Sequence, residues 1–292
     1  MSDREGIAIF IMAAENQPML AVTFERITMS DTAENPIVVI TGASAGIGAA
    51  LAEVVAQRGG HPVLVARNRT ALDGVAARCA GRADVLVADV TRRAEIEAVV
   101  AETLEKRGRI DVWVNNAGRG ISRLVSEITD EDFDEMMTVN VKSVLYGMQA
   151  VLPHFRERRR GHIINVSSML GRAPFVPLRS VYSAAKHALN ALTANLRIEL
   201  SDAYPDIVVS SVHPGIVATG FGSNALHGGP DSRQLPGAQP VTEVATIIAD
   251  VIDSRAVDVY TRPEARQSVA SYFASEDMAA VERRATLRLP RP

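Results

Sequence analysis

The chain of 292 residues has a single cysteine, Cys79. An intrachain disulfide and a cysteine-built metal site are thereby excluded. Cys79 closes the apolar spacing Leu72, Val75, Ala76, Cys79, the pattern of one helix face, so it reads as a small core residue and not a nucleophile. The six histidines form no His-x-x-x-His pair, and none is read as a metal ligand. Charge of one sign is also lacking. Lys and Arg total 31 against 34 Asp and Glu, a formal charge of −3, which gives no support to a nucleic-acid partner or an acidic membrane surface. The one basic run, Arg156, Arg158, Arg159 and Arg160, reads as favourable charge at a helix C-terminus. No apolar run approaches the roughly 20 residues that span a bilayer. The best stretch, Ile7 to Ala14, follows the mixed charges Asp3, Arg4 and Glu5, unlike a secretory leader. A cytoplasmic protein is the expectation.

What is present is ordinary for a globular chain: 47% hydrophobic and 22% charged residues, enough to bury a large core. Residues 1–35 show no period of 2 or 3.6 and carry Met12, Met19 and Met29. They read as an N-terminal extension, either disordered, covering a partner subunit, or upstream of a true start at Met29. One domain is expected over 36–292. Apolar runs at Ile37–Ile40, Pro62–Ala66, Val85–Ala88, Ile110–Val114, Ile163–Val166, Ile207–Val212 and Val257–Tyr260 read as strands. Between them lie helical patterns, among them Asp132–Arg158, Val181–Ala203 and a last one at Thr242–Asp253. Alternation of apolar strands with helices implies an α/β, doubly wound Rossmann fold, with a central parallel sheet of about seven strands covered on both faces. The Gly- and Pro-rich stretch 220–240 is long enough to be a substrate loop.

The first strand runs into Thr41-Gly42-Ala43-Ser44-Ala45-Gly46-Ile47-Gly48 and then a helix. Glycines suit a tight turn that must approach a pyrophosphate, and the helix N-terminus offers free N–H groups to that anion. Tight turns also use glycine for purely steric reasons; the strand–turn–helix setting favours a dinucleotide. Nineteen residues after Gly48, at the end of the second strand, stands Arg67. A carboxylate there would hold a ribose 2′-hydroxyl, whereas a guanidinium attracts a 2′-phosphate. NADP(H) is therefore favoured over NAD(H), against the alternative that Arg67 and Arg69 are solvated helix-start residues. Tyr182-Ser183-Ala184-Ala185-Lys186 places a phenol and an ammonium on one helix face. The ammonium is expected to lower the phenol's pKa, making Tyr182 a proton donor and acceptor at a reacting oxygen.

With its Thr-Gly-x-x-x-Gly-x-Gly turn, Asn115-Asn116-Ala117-Gly118, a Ser pair and Tyr-x-x-x-Lys, the sequence resembles the short-chain dehydrogenase/reductase family from about Pro36 to Tyr260. The resemblance implies a catalytic set of Ser168, Tyr182, Lys186 and Asn140. Ser168, with Ser167 as its alternative, would fix the substrate oxygen, although it stands one residue further from the tyrosine than is usual in the family. Asn140 would hold a water against Lys186; otherwise it is a mid-helix amide bonding nearby backbone. The implied cofactor contacts are Gly42, Ser44, Ala45, Gly46, Ile47 and Gly48 in the turn, with Arg67, Asp89 and Val90 near the adenosine. Asp89 has a second reading as a helix cap. Asn116, Ala117, Gly118, Tyr182 and Lys186 would follow, and then Pro214, Gly215, Val217 and Thr219 from Pro-Gly-x-x-x-Thr, beside the nicotinamide. Where some NADP-preferring members carry a second basic residue, this turn has Ala45.

By position, Met169, Phe175, Val176 and Phe221 would line an apolar substrate pocket. The expected activity is an NADPH-dependent ketone or aldehyde reductase acting on an apolar small molecule, reversible as an alcohol dehydrogenase. The alternatives are an NAD-dependent alcohol dehydrogenase and a non-catalytic cofactor sensor. A homodimer or homotetramer through the two long helices is implied by the resemblance alone.

Overall fold

In a computed structural model, residues 35–285 are described; residues 1–34 of the expected N-terminal extension, with its alternative start, lie outside them. Strand β1 (Ile37–Thr41) shows why the fold is layered. All five residues are buried. Val38 and Ile40 enter one hydrophobic core, and Ile37 and Val39 the other. A strand with two apolar faces needs cover on both. Helices α1 (Gly46–Gln57), α2 (Arg69–Arg78) and α7 (Val241–Ser254) supply the first cover, and α3 (Arg93–Arg107), α5 (Ser143–Arg158) and α6 (Ser180–Leu200) the second. Cys79 is wholly buried in the first core, and burial pushes its thiol pKa up; it packs as a small hydrophobe.

The other strands are β2 (His61–Ala66), β3 (Asp84–Val87), β4 (Val112–Asn115), β5 (Gly161–Val166), β6 (Ile207–His213) and β7 (Asp258–Tyr260). They form one sheet in the order β3-β2-β1-β4-β5-β6-β7, with every pairing parallel. This is the doubly wound fold. Because β1 pairs with β2 on one side and β4 on the other, the winding reverses there, and a crevice opens beyond the carboxyl ends of the strands.

Three features depart from the periodic pattern. The expected helix over 132–158 is divided into α4 (Asp130–Met137), a π-helical turn (Thr138–Lys142) and α5. Asn140 explains the wide turn. Its Nδ2 donates to the Met136 carbonyl at 3.1 Å and to the Arg119 carbonyl at 3.0 Å, drawing a ladder acceptor into a side-chain bond. Second, α7 is not the last helix. Helices α8 (Pro263–Phe273) and α9 (Met278–Ala285) follow. Ala265, Val269 and Tyr272 are the buried stripe of α8, and Val269 and Tyr272 pack with Ala173 in a small core. Third, the basic run is used within the fold: Arg156 pairs with Glu199, Arg158 pairs with Asp111, and Arg159 donates to the Ala203 carbonyl. No helix among the described residues is long and apolar enough to cross a membrane.

His162 in β5 is a buried liability. One ring nitrogen meets Ser210 Oγ at 2.7 Å and Nδ1 has no partner. Burial, reinforced by Arg255, drives its pKa down to about 3 from an ordinary 6.5. The folded chain therefore refuses a proton that the unfolded chain accepts. His162 contributes full stability above the unfolded value, and this is lost as pH falls from 6.5 towards 3. In urea unfolding, His162→Gln is expected to flatten this part of the acid dependence, on the order of a few kcal/mol. An unchanged slope would contradict the assignment.

Candidate active site

The carboxyl ends of the strands converge on a cavity of about 930 Å³. At one end is the glycine turn. Thr41 closes β1 onto β4: its Oγ1 donates to the Val114 carbonyl at 3.2 Å and accepts from the Asn116 and Ala117 N–H groups at 3.0 and 3.1 Å. Asn116 Nδ2 returns a bond to the Thr41 carbonyl at 2.9 Å. The approach leaves no room for side chains. A Cβ on Gly48 would lie 2.4 Å from the Gly42 carbonyl oxygen, and one on Gly42, at φ +67, 2.8 Å from Ala117 Cα. The N-cap of α1 is Ala45, extended and with no side-chain cap bond. The first N–H groups of α1 thus face the cavity without a side-chain acceptor, and Gly42, Ser44, Ala45, Gly46 and Ile47 line it. An uncapped helix N-terminus in a glycine cradle is the donor set a pyrophosphate requires.

Arg67, exposed at the end of β2, also lines the cavity. It makes no hydrogen bond or ion pair among the described residues, whereas Arg69 pairs with Asp73 across one helical turn. Both side chains are exposed, Arg69 on the first turn of α2 and Arg67 at the cavity edge. Asp89 and Val90 line the cavity too. Asp89 Oδ1 accepts from Thr91 N at 2.9 Å and Thr91 Oγ1 at 2.7 Å, forming a local turn; the N-cap of α3 is Arg92.

A buried polar seam positions the other end. Trp113 Nε1 donates to Asn115 Oδ1 at 2.8 Å, Asn115 Nδ2 to Asn165 Oδ1 at 2.9 Å, and Asn165 Nδ2 to Thr193 Oγ1 at 2.9 Å. It ties β4, β5 and α6 together. On α6, Tyr182 and Lys186 are 7% and 3% exposed. Lys186 Nζ donates to the Val166 carbonyl at 2.9 Å, and burial pulls its pKa down to about 8. Tyr182 departs from expectation. Burial drives its pKa up to about 12, with a Ser168 hydrogen bond and the Arg179 charge acting in the other direction. The lysine does not depress it. Lys186 Nζ is 5.7 Å from the Tyr182 ring centroid and engaged with backbone, so desolvation of the phenolate dominates.

Ser168 Oγ also accepts from Leu170 N at 3.1 Å; Ser167 Oγ is buried without a partner. The serine in contact with the tyrosine is therefore Ser168. Asn140 is fully buried and, besides its two donated bonds, accepts from Arg119 N at 3.2 Å. Its amide bonds backbone, as one of its two readings held, and fixes the segment after Gly118 beside Lys186. A Cβ on Gly118 would come within 2.9 Å of Asn140 Oδ1 and 3.7 Å of Lys186 Nζ.

Asn116, Ala117, Gly118, Pro214, Gly215, Val217 and Thr219 all line the cavity, as do Met169 and Phe221. Gly48 and Asn140 shape the cavity from behind. Phe175 and Val176 do not line it. Phe175 packs edge-on against Tyr272 of α8, ring centroids 5.3 Å apart, so the C-terminal helices claim the residue assigned to the pocket. The sequence reading missed Arg179, Leu170 and the Arg119–Glu135 ion pair, all at the cavity wall. The signal for Arg179 was its place one helical turn before Tyr182.

The stretch 220–240 is pinned across this end. Leu226 N donates to the Gly120 carbonyl, Ser122 N donates to the Leu226 carbonyl, and His227 meets Asp132 at 2.7 Å.

Residues 36–228 match the short chain dehydrogenase family. The chain belongs to that family. It is an oxidoreductase on the doubly wound fold. An uncharacterised oxidoreductase of Staphylococcus epidermidis is 38% identical over 183 residues, 63% of this chain and 78% of that one. A short chain dehydrogenase/reductase of Burkholderia phymatum, solved in complex with NAD, superposes with a TM-score of 0.76 at 27% identity, over 85% of this chain and 95% of its own. A short-chain dehydrogenase of Sphingobium yanoikuyae, solved with NADPH, gives 0.71 at 32% identity, over 88% and 98%.

Gly48→Ala is expected to force the turn apart and weaken dinucleotide binding about tenfold or more in a fluorescence titration. Unchanged affinity would show that the close approach to Gly42 does not shape the cradle.

Proposed function

We propose that the protein is an NADP(H)-dependent carbonyl reductase, reversible as an alcohol dehydrogenase. The observation that carries this reading is a buried, protonated Tyr182 in contact with Ser168, at the opposite end of one cavity from the glycine cradle and Arg67. A bound reduced nicotinamide dinucleotide supplies the hydride that a carbonyl carbon receives. Everything else falls to the chain. Ser168 Oγ hydrogen-bonds the carbonyl oxygen and holds it against the phenol. Tyr182 gives that oxygen its proton. A phenol held above its ordinary pKa is fully protonated near neutrality, which suits a donor and therefore the reductive direction. Lys186 closes the wall beside Tyr182 and offers N–H donors to a ribose. Its link to Val166 and the Asn140–Arg119 bonds keep that wall rigid.

At the adenosine end, Arg67 makes no ion pair among the described residues and presents a fork suited to a 2′-phosphate, which supports the phosphorylated cofactor. Met169, Leu170 and Phe221 offer an apolar surface to the body of the substrate, and the 220–240 stretch forms its outer wall. Exposed Phe133 on α4 and Ile198 on α6 support association of copies through the faces of these two helices.

Tyr182→Phe tests the assignment. The phenyl ring keeps the packing against Phe221 but has no proton to give. NADPH oxidation with a carbonyl substrate is expected to fall about 10³-fold, with dinucleotide affinity within about twofold of the parent. A variant that keeps most of its turnover would overturn the proposed role of Tyr182.

A further inference from the structure

Arg179 precedes Tyr182 by three residues, at the N-terminal boundary of α6, and so shares the helix face that carries the phenol. It is 7% exposed and lines the cavity. Its Nη1 donates to the Ile121 carbonyl at 2.9 Å and to Ser122 Oγ at 3.2 Å. These bonds orient the guanidinium but bring no negative charge. Among the described residues no carboxylate lies within ion-pair distance of it. The acids of the adjoining segments are already taken: Glu135 by Arg119, and Asp132 by Arg123 and His227. Phe221 links the two functional groups, its ring 5.9 Å from the guanidinium carbon and 5.5 Å from the Tyr182 ring. Two glycines keep the space around the guanidinium clear. A Cβ on Gly120 would lie 3.0 Å from Nη1, and one on Gly229 would lie 3.4 Å from Nη2 and 2.8 Å from Ser122 Oγ.

An arginine remains charged at any physiological pH. Burying it among neutral partners is unfavourable unless something that enters the cavity brings the opposite charge. We infer that Arg179 receives a carboxylate on the substrate, so that the site takes oxo-acids, and hydroxy acids in reverse, in preference to neutral carbonyl compounds. This rests on the reading of Tyr182 as proton donor to a carbonyl. With phenol and guanidinium one turn apart, the carboxylate belongs within a few bonds of the reacting carbon. The reaction is otherwise unchanged: the carbonyl carbon gains a hydride and its oxygen the Tyr182 proton, the reduced dinucleotide is oxidised, and the carboxylate is left intact.

The test compares pyruvate, acetoacetate and levulinate with their methyl esters, following NADPH oxidation. The series moves the carboxylate stepwise away from the carbonyl, and each ester removes only the charge. For at least one pair, the acid is expected to exceed the ester in kcat/KM by about tenfold or more. In Arg179→Met, the acid-to-ester ratio is expected to collapse towards one, and in Arg179→Lys to be retained in part, with an NADPH fluorescence titration showing that each variant is folded. Esters and neutral ketones turned over as well as the acids at every spacing would overturn the carboxylate inference and leave the reductase reading standing. An acid preference that survives in Arg179→Met would overturn the role of Arg179. If NADPH binds but no acid, ester or neutral ketone is reduced, the reductase reading falls and this inference with it. The wild-type ratio decides the substrate class even if the methionine variant does not fold.

Discussion

A buried lysine that donates a hydrogen bond to backbone holds this site together. Among the described residues Lys186 has no carboxylate within reach; its Nζ meets the carbonyl of Val166, the last residue of β5. Desolvation penalises the ammonium and lowers its pKa to about 8, so the single bond to Val166 matters more than it would on a surface. It pins α6 against the carboxyl end of the sheet and thereby sets the helix's rotation. One turn before the lysine, Tyr182 faces the cavity, and Arg179 faces it a further turn back. One turn after it, Asn190 holds the Gly171 carbonyl at 2.7 Å. The Asn115–Asn165–Thr193 seam makes a second attachment between the same elements.

The same burial decides the chemistry of the phenol. A tyrosine beside a lysine suggests a lowered pKa, but the charge is distant and engaged while the desolvation is complete. Burial holds the phenol above its ordinary pKa and so protonated near neutrality, as the proposed proton donor must be. The Ser168 hydrogen bond and the Arg179 charge act against that shift without overcoming it. The opposite end of the cavity works by the reverse principle. There α1 begins without a side-chain cap and the glycines are too tightly packed for side chains, an arrangement that suits a bound anion.

Much of this was legible in the sequence. Strands buried on two faces leave continuous apolar runs, and the seven runs fall on the seven strands with ends displaced by only a few residues. Tyr182 and Lys186 were legible because spacing on a helix fixes a shared face. The glycine turn was legible because its context, strand before and helix after, is local. The unread features depend on tertiary contacts. The π-helical turn at Asn140 leaves no periodic trace, since its cause is an amide shared between the Met136 carbonyl one turn back and Arg119 outside the helix. Phe175 looked like pocket because α8 and α9, which bury it, lie past the motifs. The direction of the Tyr182 shift sums desolvation by several elements. Arg179, as a lone arginine before a helix, reads as solvated until the paired acids around it are seen.

The most direct test of the central claim, that the glycine cradle and Arg67 form the adenosine end of an NADP(H) site, is a fluorescence titration of the purified protein with NADPH and, separately, NADH, repeated with Arg67→Asp. The account predicts NADPH binding tighter than NADH by about tenfold or more in the parent, and loss or reversal of that preference in the variant. Equal affinity for both cofactors, or a preference that Arg67→Asp leaves intact, would contradict it.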